Sequence, residues 1–223
     1  MDLARLAEYA PSMLEGFLTT LEISAATLLL ATPVALAIAV LREARIPGLN
    51  AALIVLVNLV RLLPAVIVLF LVFYGGPQLG LRFDPMVAAI LGLGTMGAAY
   101  MSEDIRGGLA AIDQGQYAAA RALGMSPART FRRVILPQAL PLILPPYMTR
   151  AIIMVKGSSL ASMIAVNDLT AAAARASSIT YDPFTFIVTA GVLYLAVSGA
   201  LVLFQGWAEA RLRRRYRLYP KRV

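Results

Sequence analysis

Residues 111–141 read AIDQGQYAAARALGMSPARTFRRVILPQALP, and the order of helix signals in this stretch decides the fold. Tyr117 to Leu123 is alanine-rich and favours helix. Gly124 suits the left-handed position just past a helix end. Ser126 then offers an N-cap and Pro127 a first helical residue, where a missing N–H costs nothing. The helix so begun carries Arg129, Arg132 and Arg133, and the break at Leu136-Pro137 opens a long apolar run. The stretch therefore reads as helix, glycine break, short basic helix and re-entry into a bilayer. Two short helices with an alanine face have no core of their own to complete, so they are expected to dock into a partner.

Working outward, five apolar runs are long enough to span a bilayer, which takes about 20 residues. They cover roughly 14–41, 51–74, 85–109, 137–166 and 183–210. Asp84-Pro85 and Asp182-Pro183 place an acceptor and a proline at two of the starts. The composition agrees: 60% of the 223 residues are hydrophobic and 14% charged, against about 45–50% and about 25% in a soluble domain. That leaves too little polar surface for a water-soluble globule. The expected fold is all-α: one domain over 1–223, a polytopic membrane protein of five transmembrane helices with a short helix-break-helix docking loop at about 113–136. The first run is too long for a cleavable signal peptide and follows an acidic leader, Asp2, Glu8 and Glu15.

Basic residues set the expected orientation. With the N-terminus outside, fourteen of the twenty Lys and Arg fall on inner segments: Arg42 and Arg45, five between 106 and 136, and seven in the tail from Arg211. Only Arg5, Arg82 and Arg175 fall outside. The N-terminus is expected outside and the C-terminus in the cytoplasm. The closing run RLRRRYRLYPKRV directly follows a span, so it reads as a flank resting on anionic lipid and not as a nucleic-acid site.

Several chemistries are excluded. The chain has no Cys and no His, which removes thiolate nucleophiles, disulfides, catalytic triads and histidine-based metal sites. No metal site and no catalytic residue is assigned. Gly92, Gly94 and Gly97 spell G-x-G-x-x-G, but they lie mid-span, where small residues let a neighbouring helix approach. A phosphate-binding loop needs Gly-Lys before Ser or Thr; the two lysines follow Val155 and Pro220. The chain is expected to carry no cofactor, and any ATP, with its Mg, is handled by a partner.

Charges inside spans are costly and mark function by default. Arg61 lies three residues before Pro64, Arg150 and Lys156 lie in the fourth span, and Glu103 in the third. Glu103 either lines a translocation path or pairs with Arg61, Arg150 or Lys156. Asp104 and Arg106 are expected to snorkel to the inner interface. Ser158 and Ser159 either offer hydroxyls to a substrate or bond helix to helix. Arg61, Glu103, Ser158 and Ser159 are thus the candidates for a substrate path. Prolines at 137, 141, 145 and 146 are expected to bend the fourth span. An enzyme using Glu103 and Asp104 as acid and base is disfavoured, because neighbours on a helix face about 100° apart. A stand-alone secondary transporter or channel is the alternative that these charges also allow.

The loop resembles the signature of permease subunits of ATP-binding cassette importers: Glu-Ala-Ala, three residues, Gly, nine residues, Ile, one residue, Leu-Pro. Ala119, Ala120, Gly124, Leu136 and Pro137 match, Val134 replaces the Ile, and Ala118 replaces the Glu. Elsewhere the chain is similar to the polar amino acid branch, the histidine/glutamine/arginine-type permeases. Arg61-Leu62-Leu63-Pro64 resembles its Arg-Gly-Thr-Pro and Phe73-Tyr74-Gly75 its Tyr-Phe-Gly. Gly97 to Glu103, Ile105 to Gly108, Gly115-Gln116 and Leu136 to Ala139 follow its patterns. Val155 to Leu160 resembles Leu-Lys-Asp-Thr-Ser-Leu, with Gly157 for the acid, and Asn167 to Thr170 resembles a segment ending Glu-Leu-Thr. The match covers about 16–210. It implies a bacterial inner-membrane subunit that forms the path for polar amino acids. Its partners would be ATP-binding cassette ATPase subunits, an identical or homologous permease subunit and an extracytoplasmic binding protein. It also implies coupling to the ATPase through Gly115, Gln116, Ala118, Ala119, Ala120, Gly124, Arg129, Leu136 and Pro137, and a structural part for Lys156.

Overall fold

The computed structural model describes residues 3–44 and 46–216. Arg45 and the tail basics Arg217, Lys221 and Arg222, like the leader's Asp2, lie outside the described residues, as do the side chains of Arg213 and Arg215. The described residues form helices alone: α1 (Leu3–Glu43), α2 (Leu49–Leu62), α3 (Ala65–Phe70), α4 (Pro85–Ala110), α5 (Gln114–Ala122), α6 (Pro127–Thr130), α7 (Leu136–Gly157), α8 (Leu169–Thr180) and α9 (Pro183–Tyr216). Four runs are long and apolar enough to cross a bilayer: Ala4–Glu43, Pro85–Ala110, Pro127–Ile164 and Pro183–Leu212. The pair Leu49–Leu62 and Ala65–Leu79 supplies the fifth crossing when taken together.

That fifth crossing corrects the reading of 51–74 as a single spanning helix. Its two halves meet at 106°. A proline pushes the residue before it out of the helical region, and Leu63 is extended with ψ 141°. Helix α2 therefore stops at Leu62, and α3 starts with Pro64 as its cap residue.

The fourth crossing is corrected in the opposite sense. No break occurs at Leu136-Pro137; the chain is helical from Pro127 to Ile164. Pro137 offers no N–H to the carbonyl four residues back, and the ladder passes this region as a π turn over Phe131–Ile135. Pro141, Pro145 and Pro146 lie inside α7 without interrupting it. The helix closes as a 3₁₀ run, Ser158–Ile164, ended by left-handed Ala165.

Helix α4 is the most buried span, and α1, α3 and α7 pack on it. Its glycines set those contacts. A methyl group on Gly92 would meet Leu69 of α3, one on Gly94 would meet Leu30 of α1, and one on Gly97 would meet Met154 of α7. Small residues at successive faces of one helix thus admit three neighbours. Helix α9 is the least buried span, with Leu195, Leu203 and Phe204 outward as a lipid-facing helix requires.

Helix α8 is an element that the sequence reading passed over. Its twelve residues are too few to span, but LTAAAARASSIT is rich in alanine. Asp168 caps it, its Oδ1 accepting from the Ala171 N–H at 2.9 Å. Thr20 of α1 accepts from the Leu169 N–H at 3.1 Å, and the Gly16 Cα lies so close that a Cβ there would sit 2.8 Å from the Asp168 carbonyl oxygen. Met13 of α1, Leu169, Ala173 and Ala176 of α8, and Phe186 and Ala190 of α9 form one apolar cluster.

Asp168 is fully buried and its second oxygen has no hydrogen-bond partner. Burial pushes its carboxyl above the ordinary range, against the opposing bonds from the Ala171 and Thr170 N–H groups. A raised carboxyl favours the fold most below the ordinary aspartate pKa of about 3.9 and loses that contribution as pH rises through the raised value. The melting temperature of detergent-solubilised protein should therefore fall over that interval. Asp168→Asn, which keeps the capping acceptor, should flatten this dependence. Asp168→Ala should cost about 1 kcal/mol at low pH and less as pH rises through the raised value.

Candidate functional site

The break in the second crossing opens a cleft of ≈ 360 Å³ in the membrane-spanning region. Leu63, Pro64 and Ala65 form one wall; Gly97 and Tyr100 of α4, and Arg150 and Gly157 of α7, form others. Because α2 stops at Leu62, its last carbonyls lack intrahelical donors. One is satisfied: the Tyr100 hydroxyl donates to the Arg61 carbonyl at 2.9 Å. The Tyr100 ring also receives two guanidinium groups, Arg61 at 5.2 Å and Arg150 at 4.5 Å from its centroid. A cation against a desolvated aromatic face gains about 2 kcal/mol, which offsets part of the cost of charge at this depth. Arg61 also stands at a helix C-terminus, where a positive charge is favoured.

Below this cleft the acidic residues of α4 have different partners from those expected. Both oxygens of Glu103 are engaged: Arg42 of α1 bonds Oε1, and the Arg106 Nη2 bonds Oε2 at 2.8 Å. Neither Arg61, Arg150 nor Lys156 is its partner. Asp104 does not snorkel; it takes the Arg150 Nε at 3.2 Å. Arg106 turns back along α4 to Glu103 while 39% of its side chain stays exposed. The physical reason is that water-poor surroundings favour pairing over reaching for the interface, and cationic side chains lie within range on α1 and α7. Two adjacent carboxylates thus tie α4 to two different helices.

The remaining path candidates lie elsewhere. Ser158 is fully buried and donates to the Val155 carbonyl, and Ser159 donates to the Lys156 carbonyl, so each hydroxyl closes a turn of its own helix. The cleft wall ends one residue earlier, at Gly157. Tyr100 and Arg150 carry the geometry, and the sequence reading gave neither a site role. Their one legible signal was the arginine inside a span.

The loop between α4 and α7 closely follows its sequence signals. Asp113 caps α5 by accepting from the Gly115 N–H at 2.7 Å, which starts the helix three residues earlier than expected. Gly124 is left-handed at φ 70°. Its N–H donates to the Arg121 carbonyl at 2.9 Å, and the Met125 N–H to the Ala120 carbonyl at 3.0 Å, a paired glycine termination. Ser126 makes no side-chain cap. Ala120 is buried, as is Thr130. Gly115, Gln116, Ala118, Ala119, Gly124 and Arg129 are exposed, and Leu123 at the tip is 80% exposed. Leu136 and Pro137 are half-buried within the start of the long helix, and Gln138 donates to Gln116 at 3.2 Å, linking it to α5. Burial, with Glu43 nearby, pushes the Tyr117 phenol up, so it stays a hydroxyl donor. Among the described residues no group of three or more His, Cys, Asp or Glu is arranged to hold a metal ion.

Comparison with known proteins fits this architecture. The family described as "Binding-protein-dependent transport system inner membrane component" matches residues 31–214. The nopaline transport system permease protein NocM of Agrobacterium fabrum is 33% identical, with 96% of this chain and 95% of that one covered. The histidine/lysine/arginine/ornithine transport system permease protein HisQ of Salmonella typhimurium is 32% identical, with 95% and 96% covered. Among solved structures, an amino acid ABC transporter crystallised with histidines matches with a TM-score of 0.88 at 29% identity, over 95% of this chain and 99% of that one. The MetNI methionine ABC transporter shares the fold, with a TM-score of 0.74 at 21% identity over 95% and 99%.

The Asp104–Arg150 pair lends itself to a double-mutant cycle. Asp104→Asn alone should destabilise the detergent-solubilised protein by about 1–3 kcal/mol, because Arg150 is left largely buried without its anion. Adding Arg150→Gln should recover part of that loss, with a coupling energy above about 0.5 kcal/mol. Additive melting-temperature shifts would show that the pair does not hold α4 to α7.

Proposed function

The chain belongs to the family of inner-membrane components of binding-protein-dependent transport systems, among the permeases of amino-acid ABC transporters, and from that premise we propose how it works. It is a multi-pass inner-membrane transport subunit. In our reading it forms the translocation path for polar amino acids and couples that path to a cytoplasmic ATPase, with ATP and Mg bound on the partner. The N-terminus lies outside and the C-terminus in the cytoplasm, a placement that the distribution of basic residues supports. A second permease subunit, identical or homologous, completes the path about a two-fold axis, and an extracytoplasmic binding protein delivers substrate.

The observation that carries this reading is the loop's division of faces. Ala120 and Thr130 are buried against the rest of the protein, while Ala118, Ala119 and Leu123 are bare. A well-formed, capped helix that presents alanine and leucine to water is a surface awaiting a partner. The loop runs directly into the long helix that carries Arg150. A push on the loop therefore reaches the cleft along one continuous helical run, and two arrangements of the helices can be biased from the cytoplasm.

In the cleft, Arg150 is the charged residue on the wall. Its Nε and Nη2 face Asp104, which leaves the Nη1 side to donate to the carboxylate that amino acids share, while Leu63, Met96 and Ile153 leave the remainder apolar. Glu103 and Arg61 serve the path by holding the helices that border it.

Gly124→Val tests the coupling. A β-branched residue is strained at φ 70°, so the α5 terminus should deform while the subunit still inserts and assembles. With the reconstituted complex, ATP hydrolysis should continue while uptake per ATP falls several-fold. Normal uptake by this variant would remove the coupling role from the loop.

A further inference from the structure

A second cleft, of ≈ 640 Å³, lies where the inner ends of α1, α2 and α4 meet the first turn of α5. Arg42 and Arg106 enter it from α1 and α4, Asn50 from the first turn of α2, and Gln114 and Tyr117 from α5. Ile54 and Leu109 line its apolar side. Neither the path nor the loop surface described above uses it.

Its buried and exposed charges differ: the cations stand deeper than the acid Glu43, which is exposed to water. Glu103 is shared by two guanidinium groups, so one positive charge at this depth has no counterpart in that trio. The Arg42 side chain is only 10% exposed, yet its Nε has no hydrogen-bond partner. Arg106 places Nε and Nη2 on Glu103 and is 39% exposed, so its far edge is open to the cleft. Around these cations stand two amides and a phenol held in its donor form. Glu43 also lines the cleft, near enough to Tyr117 to act on its phenol, but is itself exposed to water. Helix α2 also begins here at Gly48 without a side-chain cap, so its positive end is open to an anion.

We propose that this cleft binds a phosphate group at the inner membrane surface, held by Arg42, Arg106, Asn50 and Tyr117. Four donor-bearing side chains on different elements suit a tetrahedral anion with several acceptor oxygens. The volume exceeds that of the ion alone, and the apolar side toward Ile54 and Leu109 suits the glycerol and first acyl carbons of an anionic phospholipid. Basic pockets between spans on the cytoplasmic side bind such headgroups. An occupant touching α1, α2, α4 and α5 together would brace the loop's first helix against the spans. The placement at the cytoplasmic face rests on the orientation proposed above; the binding itself does not.

The test uses the permease–ATPase complex in nanodiscs of phosphatidylcholine with or without phosphatidylglycerol, with native mass spectrometry of the lipid kept after delipidation. Phosphatidylglycerol should be retained over phosphatidylcholine. Arg106→Gln should weaken that retention about fivefold, the effect of one basic residue at a lipid surface. Asn50→Leu lies outside the ion pairs, preserves the fold and fills the cleft; it should weaken retention as well. A further arm adds inorganic phosphate: displacement of the lipid, or binding of phosphate in its place, keeps the site and assigns it to the free anion. Equal retention of both lipids together with no phosphate binding overturns the proposal, as do two variants that retain lipid like the parent. Lipid retention is read without transport, so it stands or falls separately from ATP-driven uptake.

Discussion

Two adjacent carboxylates on one helix cannot face the same way, and much of this structure depends on that constraint. Glu103 and Asp104 point about 100° apart on α4. One therefore reaches Arg42 on α1 and the other Arg150 on α7. The geometry that disfavours a shared acid–base site makes α4 a central post tied to two neighbours. Its glycines complete the arrangement by letting α1, α3 and α7 come close. Because Arg150 also lies on the Tyr100 ring and on the cleft wall, the tie between α4 and α7 and the lining of the candidate path share one side chain. A change in helix arrangement cannot leave the cleft unaltered.

Much of the fold was legible because membrane spans obey simple rules of length and apolarity, and because caps are local. Asp84 accepts from the Met86 N–H and Asp182 from the Thr185 N–H, as a helix-starting aspartate should. Gly124 takes its left-handed place. The errors came where proline acts in more than one way. Pro64 breaks a span that reads as continuous, through its effect on Leu63. Pro137, read as a break, is absorbed by a wider turn. Neither outcome follows from the residue alone, since tertiary packing decides whether the freed carbonyls find other partners. Helix α8 was hidden because a search for long apolar runs does not register twelve small residues capped by Asp168.

The site was less legible than the fold. The charges inside the spans were visible, but their pairing is a property of helix rotation and depth, which one sequence does not record. Arg42 looked like a loop residue and proved to be the partner of Glu103. Tyr100 gave no sign that its hydroxyl would close the end of a broken helix. The loop was readable in detail because its determinants are local.

The coupling of that loop to an ATPase is the central claim, and the chain's lack of cysteine makes it directly measurable. With Leu123→Cys as the sole thiol of the permease, a short cross-linker applied to the assembled complex should join it to the ATPase subunit, with a yield that changes between ATP-bound and nucleotide-free states. Leu195→Cys on the lipid-facing side of α9 should not cross-link. A complex that takes up amino acids on ATP but gives no adduct from Leu123→Cys would contradict the account.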